Sequence, residues 1–535
     1  MAKKHFSAAV LPILAIAMSL TLMAPAPAAA YVTAFRQAIA EGVAQYDEMA
    51  EFYRDRGFAP IWTGEGDAER RAALIGALEG AANHGLPAGR YDPEDLRAAF
   101  AAANNPYDRG RAEIMASAMY LRYAHDVQSG ILDPGEIVRE IFRELPRRDP
   151  TDLLLQLVDG DPFEVMRSLP PAHPEYLRLQ REMLRLERMI ADGGWGPGVN
   201  AGRLELGDRG QGVVQLRDRL IRMGYMNRSA TAVFDADMEA AVQRFQAAHG
   251  LLADGVAGSS TIEEINIGPE ARLRQVILGL ERQRWMNWED PDRGSRHVLV
   301  NIPDYHAYVV DNEEVSFVTR VVVGATPSDR RTPEFSDRME HMVINPSWYV
   351  PRSIAIGEYL PAMQENPGAA GHLELLQGGQ AVSRAGIDFT QFTASTFPFD
   401  LRQGPGPGNA LGRVKFMFPN RHNIYLHDTP SRSLFARETR AYSHGCVRVH
   451  RPLELAYHLL ARQEGEPQSF FNRILNSGQE TQVDLVTQIP VHIVYWTAFV
   501  SPEGDVNFRR DIYGRDRALW NAMEAVGVEL RSVGS

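Results

Sequence analysis

One thiol and its nearest imidazoles bound the chemistry open to this chain. Cys446 is the single cysteine among 535 residues and sits in Ser443-His444-Gly445-Cys446. His427 lies nineteen positions upstream, at the end of Ile424-Tyr425-Leu426. A thiol with an imidazole in reach is the minimum for nucleophilic acyl transfer, because the thiolate attacks a carbonyl carbon while the imidazole takes up the proton. An unpaired cysteine can otherwise be an inert buried thiol or an intermolecular link.

The flanking residues suggest how the two groups meet. Tyr425 and its apolar neighbours read as a strand that delivers His427, and Val447-Arg448-Val449 alternates like a second strand directly after Cys446. Neighbouring strands that end at one edge would bring His427 to the thiol. Gly445 allows close backbone approach, so the amides of Gly445 and Cys446 can face a developing oxyanion. His444 is the alternative base, although the turn permitted by Gly445 can aim it away from the sulfur. The surrounding texture is β: residues 297–302, 306–310, 315–323 and 342–344 are short β-branched runs, with Asp311-Asn312 as a hairpin turn. These predict an all-β sandwich or barrel-like domain over about 271–500. Residues 351–400 interrupt it, with helix-like stretches at 358–364 and 368–376. They read as an insertion over one end of the sheet, with a disordered excursion as the alternative.

The rest of the chain is helical. Lys3 and Lys4 precede an apolar run at 8–23 and a small-residue stretch ending at Ala30, which predicts a signal peptide over 1–30. An uncleaved anchor is the alternative, and no later segment is long enough to span a bilayer. Losing the two lysines takes the formal charge from -12 to -14 and leaves Lys415 as the last lysine. Such an acidic protein argues against a nucleic-acid partner. Residues 34–53, 68–84 and 112–127 carry helical periodicity within a scaffold at 31–198, which ends in a Gly-rich linker at 193–198. A three-helix unit follows at 204–266, then a charged helix at 271–288. The tail at 501–535 is helical around 515–526. The whole reads as an α+β multidomain protein.

Two resemblances attach to these residues. Leu206-Gly207-Asp208-Arg209-Gly210, Phe234-Asp235, Ala241-Val242-Gln243-Arg244-Phe245-Gln246 and Asp254-Gly255-Val256-Ala257-Gly258 resemble the small helical peptidoglycan-binding module. Ser443-His444-Gly445-Cys446-Val447-Arg448, with His427, looks like the signature of the L,D-transpeptidases, the YkuD-type catalytic domain. Residues 404–412 and 415–420, the Phe52 to Trp62 aromatic cluster and Gly85-Leu86-Pro87 resemble the large periplasmic members with a helical scaffold. The resemblance implies Cys446 as nucleophile and His427 as general base. It implies Tyr425 and the Gly445 and Cys446 amides at the oxyanion, supported by Ser443 and His444, and Arg448, Asn409 and Lys415 at the substrate. It further implies peptidoglycan stem peptides as substrate, 3-3 cross-linking, acylation by carbapenems, a lid that excludes water, a periplasmic location and no cofactor. Between positions 401 and 451 nine Lys or Arg stand against two acidic residues, which suits a substrate rich in carboxylates. The alternatives are an L,D-carboxypeptidase or cysteine endopeptidase, a catalytically inactive wall-binding scaffold, and a zinc peptidase using His422, His427, Asp428 and His444. The last lacks a His-Glu-x-x-His pattern.

Overall fold

The computed structural model describes residues 27–44, 46–288 and 294–531. Most of the predicted signal peptide, residues 1–26, lies outside them. Among the described residues no helix is long and apolar enough to cross a membrane.

The β region closes on itself. β1 (Ile141–Phe142) comes from the helical part, and β2 (Arg296–Asn301), β3 (His306–Asp311) and β4 (Glu314–Gly324) form a meander. Its β3–β4 hairpin turns through Asn312 and Glu313, at φ 50° and 68°, the left-handed pair that a two-residue type I′ turn requires. β5 (Glu334–Ile344) is longer than the 342–344 run expected from sequence, because polar residues alternating with Phe335 and Met339 carry the strand backwards. Later strands are β6 (Trp348–Tyr349), β7 (Glu374–Gln377), β8 (Gln380–Val382), β9 (Asp400–Gln403), β10 (Val414–Met417), β11 (Leu426–His427), β12 (Ala441–Ser443), β13 (Val447–Val449) and β14 (Thr481–Val494). The main sheet runs β5-β10-β11-β13-β4-β3-β2-β14, and β14 also pairs with β5, so these strands form a closed ring. Val298, Val300, Val321, Val323, Met342, Ile344, Val414, Phe416, Leu426, Val447 and Ile493 fill it. Closure leaves the ring without the exposed edge that an open sheet presents.

The insertion between β5 and β10 is an ordered subdomain. Its strands pair in the order β6-β9-β7-β8 around Met363, Leu375, Phe389 and Leu401. The stretch 368–376, expected to be helix-like, instead enters β7. Gly378 and Gly379 turn at φ 58° and 81°, and the returning β8 pairs it as a hairpin.

The helical part has two cores rather than one per predicted domain. The first lies under the helix Pro106–Ser129, where buried Glu113 accepts from the Ile61, Trp62 and Thr63 amides and from the Tyr53 hydroxyl. The expected 34–53 helix is broken here into Pro27–Gly42 and Asp47–Asp55. The second core runs past the Gly-rich linker. It joins the helix Pro174–Ala191 to the three-helix unit (Gln211–Met223, Ala236–Ala248, Ser259–Ile265), to the helix Pro269–Arg284 and to the C-terminal helix Arg515–Ala525. The charged helix at 271–288 is thus largely buried, and its charges are paired: Arg272 with Glu264 at 2.5 Å and Arg284 with Glu281 at 2.8 Å. The C-terminal stretch is no loose tail. Arg509 donates to Ala248 O, and Arg531 pairs with Glu187 of the scaffold at 2.7 Å.

Glu281 is fully buried and also accepts from the Ile131 and Leu132 amides at 2.8 and 3.0 Å. Glu281→Ala would strand those donors beside an unpaired Arg284, and a loss of roughly 3–5 kcal/mol is expected. A denaturant midpoint within error of wild type would contradict this.

Candidate active site

The two predicted strands are β11 and β13, and they lie side by side in parallel with Leu426 opposite Val447 and His427 opposite Arg448. Leu426 and Val447 are fully buried in the ring. Strand alternation therefore puts Tyr425, His427, Cys446 and Arg448 together on the other face. On the far side of β11, Lys415 of β10 pairs with His427. Lys415, His427 and Arg448 thus form one row across three strands, an arrangement that sequence spacing does not display.

The charges of this row set the state of the base. Burial first and the Arg448 guanidinium second hold the His427 imidazole down at about 3, and Lys415 adds to the effect. Its Nδ1–H donates to the main-chain oxygen of Asp428 at 2.6 Å, which leaves Nε2 as the basic nitrogen. Cys446 is half-buried, and desolvation pushes its thiol up to about 11 although Tyr425 and Arg448 pull the other way. The resting pair is therefore neutral thiol and neutral imidazole. Tyr425, whose own hydroxyl is raised by burial and by the sulfur, hydrogen-bonds the thiol. The S–H in turn faces Asn423 O at 3.4 Å.

Two loops shape the pocket around the sulfur. Ser443 Oγ accepts from Gly445 N–H at 3.0 Å and donates to Cys446 O, closing the turn on itself. Gly445 sits at φ 113°, where a side chain would be strained. The other loop is moulded by Asn420, whose Oδ1 accepts from His422 N and Ile424 N and whose Nδ2 donates to Phe418 O and Ile424 O. This leaves Asn423 in a left-handed conformation at φ 53°, presenting its carbonyl to the thiol. The loop is propped from the scaffold: Phe142 of β1 stacks on His422 at 4.2 Å between centroids, and Arg421 lies over Phe142 at 4.9 Å. Phe142 and Thr332, which donates to Gly445 O at 2.7 Å, were not among the residues that sequence reasoning selected. Thr332 stands more than a hundred positions from the motif, and Phe142 belongs to another region of the chain.

The remaining predicted residues separate by role. His444 turns away from the sulfur and meets Glu358 of the insertion at 2.6 Å; Glu358 also pairs with Arg330 at 2.9 Å. Asn409, expected at the substrate, is only 1% exposed. Its amide donates to Pro346 O, Gln403 O and Gly404 O and its oxygen accepts from Leu411 N, so it fastens the return of the insertion. Asp428 is spent on Arg413, Arg432 and the Thr429 amide. Among the described residues no group of three or more metal-ligating side chains comes together.

With the geometry in place, comparison with known proteins is informative. Residues 295–484 match the L,D-transpeptidase catalytic domain family, YkuD. Residues 47–183 match a scaffold domain, and 209–265 a family described as "Putative peptidoglycan binding domain". Three family models thus match successive stretches of the chain: a scaffold domain, a putative peptidoglycan-binding domain and the YkuD L,D-transpeptidase catalytic domain. A Haemophilus influenzae protein named "Putative L,D-transpeptidase" is 35% identical over 225 residues, 42% of this chain and 45% of that protein. The match thus spans about half the length of this relative. Solved structures of L,D-transpeptidases from Xylanimonas cellulosilytica and Stackebrandtia nassauensis align at 16% and 14% identity. They cover 56% of this chain and 100% and 97% of their own, with TM-scores of 0.16 and 0.22.

A thiol held up at about 11 should alkylate slowly at neutral pH. The rate with iodoacetamide, which consumes thiolate, is expected to rise about tenfold per pH unit up to at least about pH 9. A rate that bends over near about pH 8.5 would instead mean an ordinary thiol.

Proposed function

We propose that the protein is a peptidoglycan L,D-transpeptidase that forms 3-3 cross-links between stem peptides through an acyl-enzyme on Cys446. The observation carrying this reading is the β11–β13 register, which sets Tyr425, His427 and Cys446 on one face with the imidazole tautomer fixed by Asp428 O. In the first half-reaction Cys446 sulfur bonds to the carbonyl carbon before a terminal D-alanine while its proton passes to His427 Nε2. The carbonyl electrons move to oxygen, stabilised by the Cys446 amide and the Tyr425 hydroxyl. Collapse breaks the C–N bond, and the D-alanine amine leaves with the proton from His427. In the second half a side-chain amine of another stem attacks the thioester and gives its proton to His427. The C–S bond breaks as the new amide forms, and the departing sulfur takes the proton back from His427, restoring the neutral pair.

Because the resting pair is neutral, transfer from sulfur to imidazole belongs to the attack itself rather than to a stored ion pair. Arg448 and Lys415 beside the base would neutralise substrate carboxylates, and a bound carboxylate would in turn make imidazolium easier to form. The peptidoglycan-binding domain supports a wall substrate, and the predicted signal peptide supports a periplasmic location. The Glu358–His444 contact brings the insertion to the nucleophile turn, where closure would keep water from the thioester.

Intact-mass analysis after incubation with meropenem is expected to show one adduct on wild type and none on Cys446→Ala. Muropeptide analysis should show 3-3 dimers; cleaved tetrapeptides without dimers would indicate a carboxypeptidase. With the imidazole at about 3 and the thiol at about 11, acylation through the neutral pair should be flat from about pH 5 to about pH 9. A fall below about pH 6.5 would mean that His427 titrates at its ordinary value.

A further inference from the structure

The nucleophile turn is held from beneath by Thr332, which lies outside the motif, and by two residues beyond the stretch matched to the catalytic family. Thr332 is fully buried, and its hydroxyl accepts from Gly324 N–H at 2.9 Å while donating to Gly445 O at 2.7 Å. Its other two polar groups are taken by the C-terminal segment. Thr332 N–H donates to the Tyr513 hydroxyl at 3.3 Å, and Arg515 donates to Thr332 O at 2.8 Å. The Tyr513 hydroxyl in turn donates to Gly324 O at 2.6 Å, so both sides of the Gly324–Thr332 contact are clamped. A side chain at Gly324 would collide with the main chain at Arg330 to Thr332, so glycine there lets the end of β4 approach the segment leading into β5. Arg515 is fixed in turn by Glu334 at 2.9 Å, both residues being buried. Tyr513 and Arg515 lie beyond residues 295–484, the stretch matched to the catalytic family.

We propose that Thr332 is a positioning residue for acyl transfer, setting the direction of the Cys446 N–H, and that Tyr513 and Arg515 of the C-terminal segment hold it in register. The proposal rests on Cys446 being the nucleophile. Gly445 C=O and Cys446 N–H belong to one peptide unit, and in a trans peptide they point in opposite directions. Drawing the carbonyl down onto buried Thr332 therefore turns the amide to the opposite side, away from the core. Gly445 cannot make that choice alone, because glycine tolerates either orientation of the adjoining peptide. Ser443 ties Gly445 N–H and Cys446 O but leaves the peptide between them free. Thr332 supplies the missing constraint, and an oxyanion donor fixed before the reaction costs no reorganisation during it.

The test compares two reactions of the same sulfur in the full chain. Acylation by meropenem needs thiol and oxyanion donor together, whereas alkylation by iodoacetamide needs only the thiol. Thr332→Val, which removes the hydroxyl at nearly constant volume, is expected to slow acylation by roughly tenfold to a hundredfold with alkylation unchanged. Thr332→Ser should recover most of the lost rate. Wild-type acylation by Thr332→Val, or alkylation falling in step with acylation, would overturn the proposal. If thermal melting shows Thr332→Val unfolded, Tyr513→Phe, which keeps the ring stacked on Tyr495, carries the test. A selective loss of acylation supports the proposal and an unchanged rate overturns it. Wild type with no adduct on Cys446 would be a different failure, since it removes the nucleophile reading and this proposal with it.

Discussion

The parallel pairing of β11 with β13 is the constraint on which the active region depends. Antiparallel neighbours can be joined by a tight turn, but parallel ones need a crossover that returns the chain to the same end. Here that crossover, residues 428–446, contains only a short 3-10 turn at Arg432–Ala436 and the brief β12. It keeps its shape through charge. Asp428 is nearly buried and bonds Arg413 and Arg432, while Arg440 donates to Val321 O and Tyr305 O of the ring. The arginine excess that sequence alone assigns to substrate recognition is in good part structural, and Arg448 and Lys415 are the cations that face the base.

The same pairing explains why the dyad rests uncharged. Half-buried sulfur and buried imidazole sit beside two cations, so an imidazolium is disfavoured twice, by desolvation and by repulsion. The arrangement is poised for a substrate that brings negative charge of its own.

The linear motif was legible because its chemistry is local. Cys446, Gly445, Ser443 and His427 are close in sequence, and the strand texture around them fixes which face each occupies. The insertion and the three-helix unit were legible from turn residues and periodicity. What sequence could not display is held by contacts between distant segments. Thr332, Phe142 and Tyr513 carry no local pattern that separates them from ordinary core residues. Asn409 is a different case: the family resemblance places it at the substrate, and its amide is bonded to three main-chain carbonyls. The helix Pro269–Arg284 reads in sequence only as charged, and its burial follows from partners as distant as Glu264 and Asp516.

The ring also dictates an order of assembly. β14 must slot between β2 and β5, joining segments up to about two hundred residues apart, so the barrel cannot close until β14 has been made. Such long-range pairing makes for slow folding. Until it is complete, the final forty or so residues cannot settle against the strand ends. Ordering of the turn beneath the thiol is thus coupled to arrival of the segment after β14, because Tyr513 and Arg515 supply the bonds to Gly324 and Thr332.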